Sequence, residues 1–192
     1  MNLIDIMDGL STGVGVIASV GFFAIALASG RYNNMFILAA LGGALLGFLP
    51  YNFPKARIYQ GDTGALLMGF ILASVAMGQG YSRVNSMALL APILILAVPI
   101  FDTLFIMFLR QRRGVSMFRG SPDHLALRMV KLGLSKKQTV LVLWGVSALL
   151  AVIAYGSTRM PFSAALLTYV GVALAALFVA ERLGSFPMEK TK

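Results

Sequence analysis

Seven carboxylates, one histidine and no cysteine make up the reactive inventory of this 192-residue chain. Thiolate metal sites, disulfides and a histidine-built zinc or iron centre are therefore excluded. What is left is hard-oxygen and cationic chemistry, gathered in four short segments. In Asn2-Leu3-Ile4-Asp5-Ile6-Met7-Asp8-Gly9, Asp5 and Asp8 are three residues apart and share a face on a helix. Paired carboxylates of this kind suit a magnesium ion or the donor groups of a nucleotide. They also suit the acidic first turn of a membrane helix, which the helix dipole favours. In Asn52 to Gly64, Asp62 and Thr63 open an apolar run, and helix N-termini attract phosphate. Lys55 and Arg57 add positive charge, Asp62 could hold magnesium against that phosphate, and Tyr59 could stack on a base. The same residues also read as an N-cap behind a glycine turn.

The third segment, Pro99-Ile100-Phe101-Asp102-Thr103, places an acid inside an apolar run. An acid in lipid is costly and by default faces a cavity or a partner. Nothing in the sequence names a substrate contact for Asp102, which reads more simply as a hydrogen bond to a neighbouring helix. In the fourth, Ser121-Pro122-Asp123-His124 to Arg128, His124 and Arg128 are four apart and could both meet a diphosphate. An amphipathic helix lying on anionic lipid heads accounts for them as well.

These residues must be positioned by membrane helices. Hydrophobic residues make up 58% of the chain and charged ones 12%, with a mean hydropathy of +0.84. A soluble domain is about a quarter charged. Six apolar runs approach the roughly 20 residues that a helical span needs: Leu10–Ser29, Met35–Leu49, Thr63–Gly78, Ser86–Leu109, Gln138–Tyr155 and Ser163–Ala180. They lack strand alternation, so the fold class is all-α: a polytopic transmembrane helical bundle of about six spans, residues 1–192 forming one integral membrane domain. With both termini in the cytoplasm, the outside loops hold only Arg31, Arg83 and Arg159. The other thirteen of the 16 basic residues lie inside, a strong positive-inside bias. The net charge of +9 is thus a topology signal, and nucleic acid is not expected as a partner. Every carboxylate falls at or near the inside face; Asp102, seven residues from its span's inside end, lies roughly 10 Å deep. The longest inside loop, 110–137, is basic. Gly133 is expected to stop a helix over residues 124–132, and Ser135 to cap the next.

Taken together, the four segments resemble the polyprenyl-phosphate N-acetylhexosamine-1-phosphate transferases, glycosyl transferase family 4. NLIDIMDGLSTG is similar to the family's DGLDGLA signature, NFPKARIYQGDTGALLMGF to its FMGDTGSLFLG segment, and PIFDT with SPDHLALR to its PxxDT and histidine-loop segments. The resemblance runs in register over residues 2–137 and covers the C-terminal half of a longer family member. It implies transfer of N-acetylhexosamine-1-phosphate from a UDP-sugar to a polyprenyl phosphate, yielding a polyprenyl-diphosphate-sugar and UMP for cell-envelope polysaccharides. Magnesium is the implied cofactor and the bacterial cytoplasmic membrane the implied location. By the same resemblance Asp5, Asp8 and Asp62 are the catalytic carboxylates, Asp62 and Asp8 the metal ligands, and Asn2, Tyr59, His124 and Arg128 the substrate-binding residues. A second copy of the chain stands among the expected partners. Ile6 replaces a usual glycine, and Ala126 and Leu127 stand where further loop histidines are common. The family's DDxxD segment, upstream of the first motif, has no counterpart here. A fragment that keeps the fold without turnover is therefore an alternative expectation. A small transporter is another, though transporters place ionisable groups at the midplane and only Asp102 comes close.

Overall fold

A computed structural model describes residues 1–81, 86–112, 114 and 123–184. Arg83, Arg113, Arg119, Ser121, Pro122, Glu189, Lys190 and Lys192, which enter the topology and loop expectations, lie outside the described residues. Among those described, regular structure is entirely helical. A 3-10 turn, Asn2–Ile4, precedes α1 (Leu10–Ser29), α2 (Tyr32–Asn52) and α3 (Gly61–Gly78). A second 3-10 turn, Ser86–Leu90, leads into α4 (Ala91–Ile95) and α5 (Ala97–Arg112). Then come α6 (Leu125–Lys131), α7 (Lys136–Ser157) and α8 (Phe162–Gly184).

Helices α1, α2, α3, α7 and α8 are each long and apolar enough to cross a membrane. The expected fourth span differs from a straight helix. Residues Ser86–Ile95 and Ala97–Arg112 meet at a bend of 76°, and only as a broken pair do they complete six spans. The cause is visible in the chain: Pro99 has no N–H to give the Ile95 carbonyl and its ring crowds the preceding turn. The ladder therefore fails at Leu96, whose own N–H still reaches the Pro92 carbonyl at 3.0 Å. The protein is thus a polytopic membrane helical bundle.

Helix α1 is the axis of the bundle. It packs against α2, α3, α4 and α7. In lipid there is little hydrophobic drive between helices, so close approach relies on small residues. A Cβ built on Gly13 would lie 2.0 Å from the Trp144 ring of α7, and one on Gly15 would lie 2.2 Å from the Met68 sulfur of α3. These two contacts fix α7 and α3 against α1, close to its N-terminal end. The expected stop and cap of the 124–137 region are both present. Gly133 has φ +103°, and Ser135 with Gln138 forms a capping box at the start of α7.

Candidate functional site

The site is assembled where the N-terminal segment meets the α2–α3 connection. Gly9 holds a left-handed conformation, φ +78°, directly before α1. Any Cβ there would also strike Phe53, at 2.6 Å. The turn is locked by Asn52, the last residue of α2, whose amide is buried. Its Oδ1 accepts from Gly9 N–H at 3.0 Å and from the Thr12 hydroxyl at 2.8 Å. Its Nδ2 donates to the Ile58 carbonyl at 3.1 Å. Thr12 also stands 3.1 Å from Gln60 Oε1, and Ala56 N–H donates to Asp8 Oδ2 at 3.0 Å. The start of α1 and residues 52–60 are therefore one hydrogen-bonded unit.

The fold brings Asp5 within electrostatic range of both Asp8 and Asp62. Burial pushes the Asp5 carboxyl above its ordinary value, and the charges of Asp62 and Asp8 push it further the same way. Among the described residues neither the Asp5 nor the Asp62 side chain has a hydrogen bond or ion pair, and the Asp8 side chain has only the Ala56 amide. Asp62 lies in the first turn of α3 and is exposed; no side chain caps that helix. The alternative of Asp62 as a capping residue is thus not what the structure has. Lys55 and Arg57 are exposed on the same connection and form no ion pair with the acids. Tyr59 is 75% exposed, leaving a ring face open. Asn2 is half-buried in the 3-10 turn, and its carbonyl accepts from Asp5 N–H at 3.1 Å.

The donor set fits a hard divalent cation. Among the described residues no three-acid cage is gathered. Magnesium bound to phosphates, however, characteristically takes only one or two carboxylates and fills its remaining positions with water and substrate oxygens. Asp62 and Asp8 can supply those, with Asp5, which also feels the N-terminal ammonium, adding a third carboxylate.

The histidine segment approaches from the other side. Leu125 and Ala126, the first residues of α6, share one apolar cluster with Ile4, Met7 and Leu10. His124 directly precedes these two residues in the chain. Asp102 is buried, its Oδ1 accepting from Leu125 N–H at 2.7 Å and its Oδ2 lying 2.8 Å from His124 Nδ1. Asp102 therefore meets not a neighbouring membrane-spanning helix but the short segment that follows its own.

Arg128 requires a correction. It was expected to face a diphosphate beside His124, yet it points inward and is 2% exposed. Its Nη2 donates to Asp123 at 2.7 Å and its Nη1 to the Leu183 carbonyl at 2.6 Å. A buried guanidinium must be paired, and this one ties α6 to the end of α8.

Four further residues contribute to the site beyond those the sequence points to. Asn52 and Gln60 were passed over as loop residues, although a terminal asparagine after a proline-containing turn is a recognisable helix-end signal. Lys136 and Lys137 were counted only as topology charges. With Asp8, Phe53 and Pro54 they line a small cavity of about 80 Å³, where ammonium groups could meet phosphate.

Comparison with known proteins bears directly on this arrangement. Residues 1–79 match the family model for glycosyl transferase family 4. The chain is 35% identical over 144 residues to the probable undecaprenyl-phosphate N-acetylglucosaminyl 1-phosphate transferase of Bacillus subtilis, covering 75% of this chain and 40% of that one. It is 33% identical over 183 residues to the decaprenyl-phosphate N-acetylglucosaminephosphotransferase of Mycobacterium tuberculosis, covering 84% and 44%. To the phospho-N-acetylmuramoyl-pentapeptide-transferase of Desulforudis audaxviator it is 35% identical over 156 residues, covering 80% and 44%. The chain spans about two fifths of the length of these relatives.

Proposed function

We propose, from the match of residues 1–79 to the glycosyl transferase family 4 model, that this chain belongs to that family and carries the donor and metal side of a phosphoglycosyl transferase. The reaction moves N-acetylhexosamine-1-phosphate from a UDP-sugar to a polyprenyl phosphate and releases UMP. It takes place at the cytoplasmic face of a bacterial inner membrane and serves cell-envelope polysaccharide synthesis. The observation that carries this reading is that Asp5 feels the charges of both Asp8 and Asp62, and that among the described residues no lysine or arginine side chain forms an ion pair with any of the three.

The chain's residues divide the work by chemistry. Asp62 and Asp8 would hold magnesium, which neutralises the charge of the donor's phosphates when bound. Asp5 deepens the negative field that retains it. Tyr59 offers its open face to uracil, and Asn2 lies beside the same turn. His124, Lys136 and Lys137 direct hydrogen-bond donors toward the diphosphate. Arg128 keeps α6, and so His124, in place. Catalysis of phosphoryl transfer rests on positioning and charge stabilisation, which is what a rigid hydrogen-bonded turn provides.

The test is calorimetric titration of the detergent-solubilised chain with uridine diphosphate, with and without magnesium. Magnesium-dependent binding, lost by at least tenfold in Asp62→Ala, is expected. Binding that ignores both the metal and the substitution would reject the reading.

A further inference from the structure

We propose that Asp102 is a positioning residue for His124: it fixes which ring nitrogen carries hydrogen and which one faces the donor's phosphates. The proposal rests on His124 as the phosphate-facing group of the transferase reading, and adds to it a residue that touches no substrate.

The geometry is that of a carboxylate clamp. Asp102 sits on α5 and is 3% exposed. A carboxylate offers only acceptors. One oxygen takes the Leu125 backbone N–H at 2.7 Å, the other the His124 ring at Nδ1, 2.8 Å away. The hydrogen in the second contact therefore resides on Nδ1. Among the described residues neither Asp102 nor His124 has any other side-chain hydrogen bond. Nε2 is left without a protein partner, on a side chain that is 13% exposed. In the neutral ring Nε2 carries a lone pair. When protonated there, the imidazolium is held against a buried anion and presents a charged N–H outward. A histidine fixed at one nitrogen by a carboxylate has its tautomer and ring plane set for the other nitrogen.

The backbone contact makes the clamp rigid. Asp102 anchors the Leu125 N–H at the first turn of α6, where helix N–H groups lack internal partners. Leu125 in turn packs with Ile4 and Met7, on either side of Asp5. Imidazole and acidic turn are thus referred to the same packed cluster, and one carboxylate sets both the ring and the helix behind it.

The chain contains one histidine, so labelling with [15N]histidine gives a single imidazole signal set in the full chain. In wild-type protein with a neutral ring, hydrogen is expected on Nδ1 and a lone pair on Nε2. Asp102→Asn should reverse this. The Asn oxygen stays with Leu125 N–H, so its NH2 group faces Nδ1, which must then accept and leave the hydrogen on Nε2. A neutral wild-type ring with its hydrogen on Nε2 and its lone pair on Nδ1, or a ring unmoved by Asp102→Asn, overturns the proposal. Should Asp102→Asn not fold, the wild-type spectrum alone decides.

A second arm uses uridine diphosphate with magnesium. Asp102→Asn should weaken binding roughly tenfold, the scale on which partners of functional histidines act, and should cost nothing more once His124 is alanine. Equal loss in both backgrounds assigns Asp102 a purely structural role and overturns the proposal. Failure of wild-type protein to bind the nucleotide brings down the transferase reading instead, and the ring spectrum still decides whether Asp102 sets the tautomer.

Discussion

Two buried amides stand at opposite ends of the bundle, and they are built differently. Asn52 is 4% exposed, with its oxygen serving Gly9 and Thr12 and its nitrogen serving Ile58. Gln79, 8% exposed, donates once to the Phe22 carbonyl, and its oxygen has no partner. Around Asn52 gather three carboxylates, several unpaired cations and an open tyrosine. At the Gln79 end the chain forms a larger cavity, about 710 Å³, lined by Arg31, Tyr81, Thr158 and Arg159 among others and, among the described residues, by no acid. There Tyr81 donates to the Ala76 carbonyl, and burial pushes its hydroxyl pKa up. Cavity size and chemical content therefore point to different ends. At the smaller, charged end the left-handed Gly9 turn is held by a buried side chain, Asn52.

The largest expected effect comes from removing the better-connected amide. Asn52→Ala leaves the Gly9 N–H without its acceptor and the Ile58 carbonyl without the Asn52 donor, and takes from the Thr12 hydroxyl the nearer of its two acceptors; each buried group left unpaired costs about 1–3 kcal/mol. Gln79→Ala removes one bond and one already unpaired oxygen, so it should cost less. Thermal unfolding of both variants in one detergent checks the order. A Gln79 variant as damaged as the Asn52 one would mean that the two ends are equally constrained. Nucleotide binding should fall with Asn52→Ala alone, because that residue sets the turn bearing Asp8.

How far this contrast could be read from the sequence depends on the kind of signal. Span existence follows from hydropathy: Leu10–Ser29 was legible residue for residue, because glycines bound it at both ends. Its place at the centre was not. Helices α1 and α8 have almost the same hydropathy, 2.0 and 2.2, yet 67% of one span is buried inside the protein and 6% of the other. What separates them is the run of Gly13, Gly15, Ser19 and Gly21, a packing signal that an apolarity average discards. Pro92 and Pro99 announced a weak ladder, but the 76° between α4 and α5 is set by neighbours.

The acids show a similar limit. The i, i+3 spacing linked Asp5 with Asp8. Asp62 joins them through a contact between α1 and α3 that lies 40 or more residues apart in sequence. Asp102 and His124 read as two separate constellations, because their pairing depends on α6 folding back against α5. Arg128 was misread for a related reason: helical spacing gives a shared face but not which way that face turns.

A smaller effect is expected from charge at Asp5. Its pKa is raised in the folded protein, so the protonated form is the one that folding favours. That contribution is full below the ordinary carboxylate value and is lost as pH rises through the raised one. At neutral pH the metal-free fold therefore carries a penalty that Asp5→Asn removes. The variant should melt at a slightly higher temperature than wild type without magnesium at neutral pH, and the gap should close in acid. With magnesium the order should invert, since the variant binds the cation less well. A wild-type melting temperature indifferent to magnesium, and equal to that of the variant across the pH range, would separate Asp5 from the other two acids. The contrast between the ends would then rest on Asp8 and Asp62 alone.

The smallest expected effect is at the opposite end. Arg31 and Arg159 are exposed and line the larger cavity; Arg159 lies over the Tyr155 ring at 4.5 Å and donates to its hydroxyl. Exposed cation–π and polar contacts contribute about 0.5–1 kcal/mol. The double variant Arg31→Ala, Arg159→Ala should therefore shift stability little, and it should leave magnesium-dependent nucleotide affinity within twofold of wild type. The reason is distance and sign: these cations sit at the far ends of α1 and α7, and screening by salt extends over only about 8 Å under physiological conditions. A loss comparable to that of Asp62→Ala would show that the two ends act as one site. It would also mean that α1, which runs between them, transmits more than its packing against α7 and α3 accounts for.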